Sequence, residues 1–275
     1  MGKLFYEKEN ERVYIAIEFE EILYEKISKY QNIKIAESKD FGRILILDGV
    51  IQTTTKDEYV YHEMITHVPL SAHPSPKNIL IIGGGDGGVI KEALKHETVE
   101  KIDLVEIDEE VIKVSKEYLP EISYGLNNEK VNIFVEDGFY FLKNKKCEYD
   151  VIIVDSADPV GPAEKLFKEE FYISIYEALR DDGLFVCQSE APLFSGNLLK
   201  EVYGYIRKLF PIAKVYTAQI PTYSIGLFSF TLGSKKYDPL EIKNLPKGEL
   251  KYYNDDIHKA CFALPNFIKT IIAAN

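Results

Sequence analysis

The chain has 275 residues, 46% of them hydrophobic and 28% charged, with a formal net charge of −11. That length suits two units or one large domain with an appendage, and the composition supports a sizeable core rather than disorder. An acid excess with no Lys/Arg stripe argues against a nucleic-acid backbone as partner, and apolar runs such as 79–82 are far too short to cross a bilayer.

Three scattered cysteines form no CxxC pair, which speaks against a structural zinc site or a disulfide framework. The chain opens without a basic stretch followed by an apolar region, so no secretory signal is expected and the cytoplasm is the expected compartment. A negative cleft would steer cationic small molecules inward.

In chain order, the first ~70 residues are rich in β-branched and aromatic residues, as in 13–17 and 33–52, with turns at Phe41-Gly42-Arg43 and Asp48-Gly49. They predict a small antiparallel β-unit over residues 1–56, set before a larger unit over 57–275. A helix is expected from Asp57 to Leu70, and Pro69, Pro74 and Pro76 read as punctuation of a short connection.

From Lys77 on, apolar runs at 78–82, 102–105, 131–135, 151–154 and 184–187 alternate with helical stretches at 89–96, 109–118, 139–143 and 168–179. The alternation implies a doubly wound, mostly parallel sheet, buried on both faces, with ligands at the carboxyl ends of its strands. Two β-rich runs at 213–220 and 227–232 suggest an antiparallel hairpin closing the sheet.

Directly after the first of these strands comes Gly83-Gly84-Gly85-Asp86-Gly87-Gly88. Its Gly83, Gly85 and Gly88 satisfy GxGxxG in a strand–loop–helix setting, where glycine lets the backbone turn sharply and approach a ligand closely. Glu106 ends the next strand, where a carboxylate can accept hydrogen bonds from two ribose hydroxyls; an exposed strand-end charge before a helix cap at Asp108 is the plainer alternative, and the glycine loop ahead of it favours the ribose. Asp137, before Gly138 at the end of the following strand, suits either an adenine amine or a helix cap. Asp86 is poorly placed for a pyrophosphate, because like charges repel in a partly desolvated site, and it suits an ammonium group instead.

The fourth strand delivers Asp155-Ser156-Ala157-Asp158-Pro159. Asp155 and Asp158 can converge on one pocket, and two close carboxylates call for a cation or a shared proton. A local Asx turn capped by Asp158 is the simpler reading of the same residues. With acidic groups at four strand ends, a cation-binding cleft is favoured.

These segments resemble the polyamine aminopropyltransferase (spermidine synthase) family. The likeness runs through 47–52, 57–64, 83–88, 105–108, 155–159 with Gly161-Pro162, and 220–223, in the family's order and over nearly the whole chain. It implies a Rossmann-like, methyltransferase-type sheet behind an N-terminal β-domain, assembled as a homodimer or homotetramer. The implied reaction moves an aminopropyl group from decarboxylated S-adenosylmethionine, a co-substrate, to putrescine, with no metal or resident cofactor.

By the same resemblance, Asp155 falls on the catalytic base and Asp158 on the amine-binding segment. Tyr61 and Tyr223 line the amine site, His62 contacts the polyamine, and Asp86 holds the donor's ammonium. Glu106 takes the ribose, while Asp137, Gly138 and Pro162 lie on the adenosine side. Gln31 and Gln52 stand near the donor and Gln188 near the amine. Many relatives carry an N-terminal tryptophan walling the far end of the amine channel; here Phe5 or Tyr6 is expected in its place. The rival readings are an S-adenosylmethionine-dependent amine methyltransferase, an NAD-dependent dehydrogenase and a non-catalytic nucleoside-binding or assembly protein.

Overall fold

The computed structural model describes residues 3–157, 161–223 and 226–274, with backbone alone for Gly161 and Pro162. The N-terminal part holds an antiparallel ribbon, β1 (Lys3–Lys8) with β2 (Tyr14–Phe19). A four-stranded meander follows: β3 (Glu21–Ile27), β4 (Asn32–Ser38), β5 (Gly42–Leu47) and β6 (Val50–Thr54). The two-residue turn between β5 and β6 is Asp48-Gly49, both at positive φ, the twist that tight hairpins require. Side chains alternate across this sheet. Ile33, Ile35 and Leu45 pack on Val111, Val114, Leu119 and Ile122, whereas Ala36, Ile44, Ile46 and Ile51 pack on Ile17 and Phe19.

The larger sheet is built by α1 (Glu58–Ala72), β7 (Asn78–Gly83), α2 (Gly88–Ala93), β8 (Lys101–Glu106), α3 (Glu109–Tyr118), the short α4 (Pro120–Ser123), β9 (Val131–Val135), α5 (Gly138–Leu142), β10 (Tyr149–Asp155), α6 (Glu169–Ala178) and β11 (Leu179–Gln188). It is completed by α7 (Gly196–Leu209), β12 (Ile212–Gln219) and β13 (Leu227–Ser234), with α8 (Asp255–Ala260) and α9 (Asn266–Ala273) at the end. Strand order is β12-β13-β11-β10-β7-β8-β9. The five strands β11, β10, β7, β8 and β9 are parallel, β13 is antiparallel to β11, and β12 to β13.

The order reverses between β7 and β10, so these neighbours send their following chains to opposite sides and open a crevice at their carboxyl ends. Gly83 and Asp155 are partners across that gap. One apolar core lies between the sheet and α1 and α2, the other between the sheet and α6 and α7.

Two expectations need amendment. Pro69 does not end α1 but sits inside its last turn, and the helix runs on to Ala72. The helix is buried at every residue except Tyr59, so packing outweighs the one lost hydrogen bond. The second is α7, not anticipated from the sequence. Leu199, Val202 and Ile206 form its buried stripe, but Gly196 and Gly204 dilute the helical signal. Among the described residues, no helix is long and apolar enough to cross a membrane.

Candidate active site

The crevice between β7 and β10 opens into a cavity of about 820 Å³. Gly83, Gly84, Gly85 and Asp86 line it from the loop after β7, Glu106 from β8, Asp137 and Gly138 from the start of α5, and Asp155 from β10. Tyr61 and His62 enter from α1, Gln31 and Gln52 from the N-terminal sheet, and Gln188 and Tyr223 from the antiparallel edge. Asp158 lies outside the described residues, as does the side chain of Pro162.

Each glycine of the loop meets a different functional group. Gly83 has φ +81°, and a Cβ there would lie 2.1 Å from the carbonyl oxygen of Asp155. A Cβ on Gly84 would lie 2.8 Å from Asp155 Oδ2, and one on Gly85 3.0 Å from the Glu106 carboxylate. At Gly88 it would fall 2.2–2.4 Å from the His62 ring. The glycines therefore admit the site's own side chains as well as a ligand. Gly88 lies under His62 and does not border the cavity.

Asp155 accepts a hydrogen bond from the Tyr61 hydroxyl at 2.5 Å. Desolvation, with the nearby Asp86 carboxylate, pushes its pKa up to about 6, against the opposing pull of His62 and Tyr61. Asp86 behaves oppositely. Burial would raise it, but ion pairing with His62 (Nε2 to Oδ2 3.3 Å) and the Gly88 N–H (2.9 Å to Oδ1) hold it below the usual carboxylate range.

His62 would lose its proton through burial alone. Asp86 and Glu58, the latter 2.7 Å from Nδ1, carry it up to about 10. Ligand atoms of His62, Asp86 and Asp155 lie within 4.8 Å of one another. Two carboxylates this close together call for a compensating cation or a shared proton, and a protonated His62 supplies part of that charge.

Glu106 is buried, accepts the Asp108 N–H at 2.9 Å, and is pushed by desolvation up to about 7 despite backbone donors at Asp108, Gly85 and Ile107. Asp108 caps α3 through Glu110 N–H and accepts from Gln31 Nε2 at 3.1 Å. Asp137 does cap α5, through Phe139 N–H at 2.9 Å, while bordering the cavity. Gln52 Nε2 donates to Val50 O, and Gln188 Nε2 to Ser156 O and Glu190. The Tyr223 hydroxyl donates to Gln52 O at 2.5 Å, and its ring meets Tyr61 edge-on at 5.6 Å between centroids.

The expectation for Phe5 or Tyr6 does not hold. Phe5 stacks on Phe19 at 4.9 Å and Tyr6 is 60% exposed, so neither borders the cavity. Instead β1 and the turn after it present Glu7, Lys8 and Glu9. Two further residues escaped sequence reading. Asp57 accepts from Thr54 Oγ1 (2.6 Å), from Thr222 N–H (2.8 Å) and from the Thr222 hydroxyl, tying the start of α1 to the turn that carries Tyr223. Glu58 binds His62 and Lys91. Both lie in the family-like segment 57–64, but taken alone they read as an acidic pair at a helix start, which ordinary capping explains equally well.

Fold and site together define an α/β enzyme of the doubly wound class with an acidic cleft at its switch point. Residues 58–244 match the Spermine/spermidine synthase domain and residues 4–55 the Spermidine synthase tetramerisation domain. The chain belongs to the spermine/spermidine synthase family of polyamine aminopropyltransferases. A Polyamine aminopropyltransferase of Caldicellulosiruptor bescii is 53% identical over 252 residues, 91% of each chain. Polyamine aminopropyltransferase 1 of Bacillus cereus is 49% identical over 270 residues, 98% of each. A crystal structure of spermidine synthase in complex with the transition state analogue AdoDATO superimposes with a TM-score of 0.96 at 40% identity, covering 100% of this chain and 97% of that one.

Proposed function

We propose that this chain transfers the aminopropyl group of decarboxylated S-adenosylmethionine to putrescine, giving spermidine and methylthioadenosine. The observation that carries the reading is one cavity in which Asp155, at the end of β10, and Asp86, on the glycine loop, bring their carboxylates together beside His62. The related spermidine synthase that holds AdoDATO supports it.

In this reading the adenosine lies along Glu106, Asp137, Gly138 and Pro162, with Gln31 and Gln52 beside it. Asp86 takes the ammonium of the aminopropyl arm. It would repel the extra carboxylate of intact S-adenosylmethionine. Putrescine lies between the Tyr61 and Tyr223 rings, with Gln188 near it and Asp158 on the same amine-binding segment. The amine lone pair attacks the carbon bonded to sulfur. The carbon–sulfur bond breaks, its electron pair neutralises the sulfonium, and the proton on the attacking nitrogen passes to Asp155.

The leaving group is a neutral thioether, so the step calls for no general acid, metal or resident cofactor. The obstacle is the nucleophile, since an alkylamine has a pKa of about 10.4 in water. The aromatic walls at Tyr61, Tyr223 and Phe228 desolvate the reacting amine and favour its neutral form. Residues 4–55, with exposed Leu4, Tyr6 and Tyr14, support assembly as a homodimer or homotetramer. Free thiols at Cys147, Cys187 and Cys261 support a cytoplasmic setting.

The test is a chromatographic assay with decarboxylated and intact S-adenosylmethionine, each amine offered separately. Spermidine and methylthioadenosine forming together from putrescine is the expected result. Methylated amine formed only from the intact donor would replace the reading with a methyltransferase.

Glu106→Gln is expected to weaken donor binding about tenfold, the weight of one charge-assisted hydrogen bond. Because ribose hydroxyls donate to the ionised carboxylate, wild-type affinity should rise as pH climbs through the value near 7 of free Glu106. The variant should lack that rise. Calorimetry with methylthioadenosine at several pH values checks both; a pH-independent wild-type affinity removes Glu106 from the ribose.

A further inference from the structure

Behind His62 runs a chain of buried charges that does not border the cavity. Glu58 Oε2 lies 2.7 Å from His62 Nδ1, and Glu58 Oε1 accepts from Lys91 Nζ at 2.5 Å. Lys91 also lies 3.4 Å from Glu92, which in turn binds Lys95 at 2.7 Å and His67 at 3.0 Å. Glu58, Lys91 and Glu92 are all at most 8% exposed. Such a cluster is costly to bury, and surface capping or solubility does not account for it.

The groups facing His62 are Glu58 and Tyr61 from α1, Asp86 from the glycine loop and Asp155 from β10, with Lys91 of α2 behind Glu58. One face of the ring is walled by Gly88, which leaves no room even for a methyl group.

We propose that Glu58 is a positioning residue for the transfer: clamped by Lys91, it fixes the His62 ring so that Nε2–H faces Asp86 and keeps that carboxylate ionised and aimed at the donor's ammonium. The inference rests on the function proposed above. Glu58 does not border the cavity and lies behind His62, so its main route to the site is the ring, with Lys91, which also favours the Asp86 anion, as the smaller second route. A neutral imidazole has one N–H. If the Glu58 anion is lost, burial favours that neutral form, and one of its two tautomers turns a lone pair toward Asp86, where two acceptors repel. With the positive ring gone, Asp86 and Asp155 repel each other more strongly, and Asp155 ionises at higher pH.

Glu58→Gln retains the shape and removes the charge. Long-range 1H–15N spectra of the ring should show His62, identified by its loss in His62→Gln, with two protonated nitrogens at about pH 8.5 in the wild type and one in Glu58→Gln. The donor KM should rise about tenfold, and the acid limb of kcat/KM for the donor should move up by about one pH unit. In the His62→Gln background the same Glu58→Gln change should alter both far less, because only the smaller route through Lys91 is left.

Equal effects in both backgrounds would make Glu58 a packing residue and overturn the proposal. So would a wild-type His62 that titrates near its ordinary value, a measurement that needs no variant to fold. Glu58→Asp, which keeps the charge, should preserve the doubly protonated ring. If the wild type transfers no aminopropyl group, the functional reading fails, while the ring spectra still decide whether Glu58 governs His62.

Discussion

Asp155→Asn is expected to lower turnover by about 10²-fold or more, the usual weight of a general base, while leaving the folded protein more stable above pH 6. The two halves of that expectation come from the same geometry. In the wild type the carboxylate accepts from Tyr61 and is held up to about 6 by desolvation and by Asp86. It is therefore ionised at neutral pH but still close enough in pKa to take a proton from a desolvated amine. Asparagine can still accept from Tyr61, so the variant keeps that contact and loses the carboxylate.

The sign of the stability effect follows from linkage. A carboxyl group whose folded pKa lies above its unfolded value of about 3.9 favours the folded state fully while protonated. That advantage is lost as pH rises from about 4 to about 6, and ionised Asp155 then costs on the order of 3 kcal/mol. The asparagine variant escapes this loss. Its melting temperature should exceed the wild type's by a few degrees at pH 8 and match it at pH 4. A variant with near-normal turnover would remove Asp155 as the base. A variant equally inactive but less stable at pH 8 would point to a structural role instead.

This contrast between charge and shape also marks what could be read from the sequence. The apolar runs that became β7, β10 and β11 were legible because parallel strands buried on both faces need near-continuous hydrophobic residues. By contrast β8, broken by Asp103, and the edge strand β9, which has no fully buried residue, were legible through the strand–helix alternation. Asp155, Glu106 and Asp137 were legible as acids placed at the ends of such runs. The glycine loop was recognisable as a loop, but its reasons were not. Gly88 is glycine because of His62, and Gly85 because of Glu106, neighbours that exist only after folding. Glu58 and Lys91 stand far apart in the chain and meet only because α1 packs on α2. Phe5 misled for a related reason: strand alternation puts it on the same face as Glu7, yet Phe19 captures the ring before it reaches the cavity.

Gly83→Ala is the second large effect, and the mutation adds a single methyl group. At φ +81° an L-residue sits in the left-handed region, which costs roughly 1–2 kcal/mol. The new Cβ would also lie 2.1 Å from the carbonyl oxygen of Asp155 and 2.7 Å from its carbonyl carbon. Both are backbone atoms of β10, paired with β7 in the middle of the sheet, and cannot swing aside as a side chain would. Overpacking of this kind costs about 1–3 kcal/mol more. We expect the melting temperature to fall by about 10 °C and turnover by about 10²-fold, because a misplacement of about 1 Å at a reacting group costs that much. Gly204→Ala provides the control, since its Cβ would meet nothing within 4 Å and its position in α7 favours alanine by about 0.5–1 kcal/mol. Calorimetry with methylthioadenosine then separates the two ways in which Gly83→Ala can fail. If nucleoside affinity is kept while turnover collapses, the methyl group has displaced Asp155. If affinity collapses as well, the loop's first need for glycine is the close approach of the nucleoside, with the placement of the base as a second.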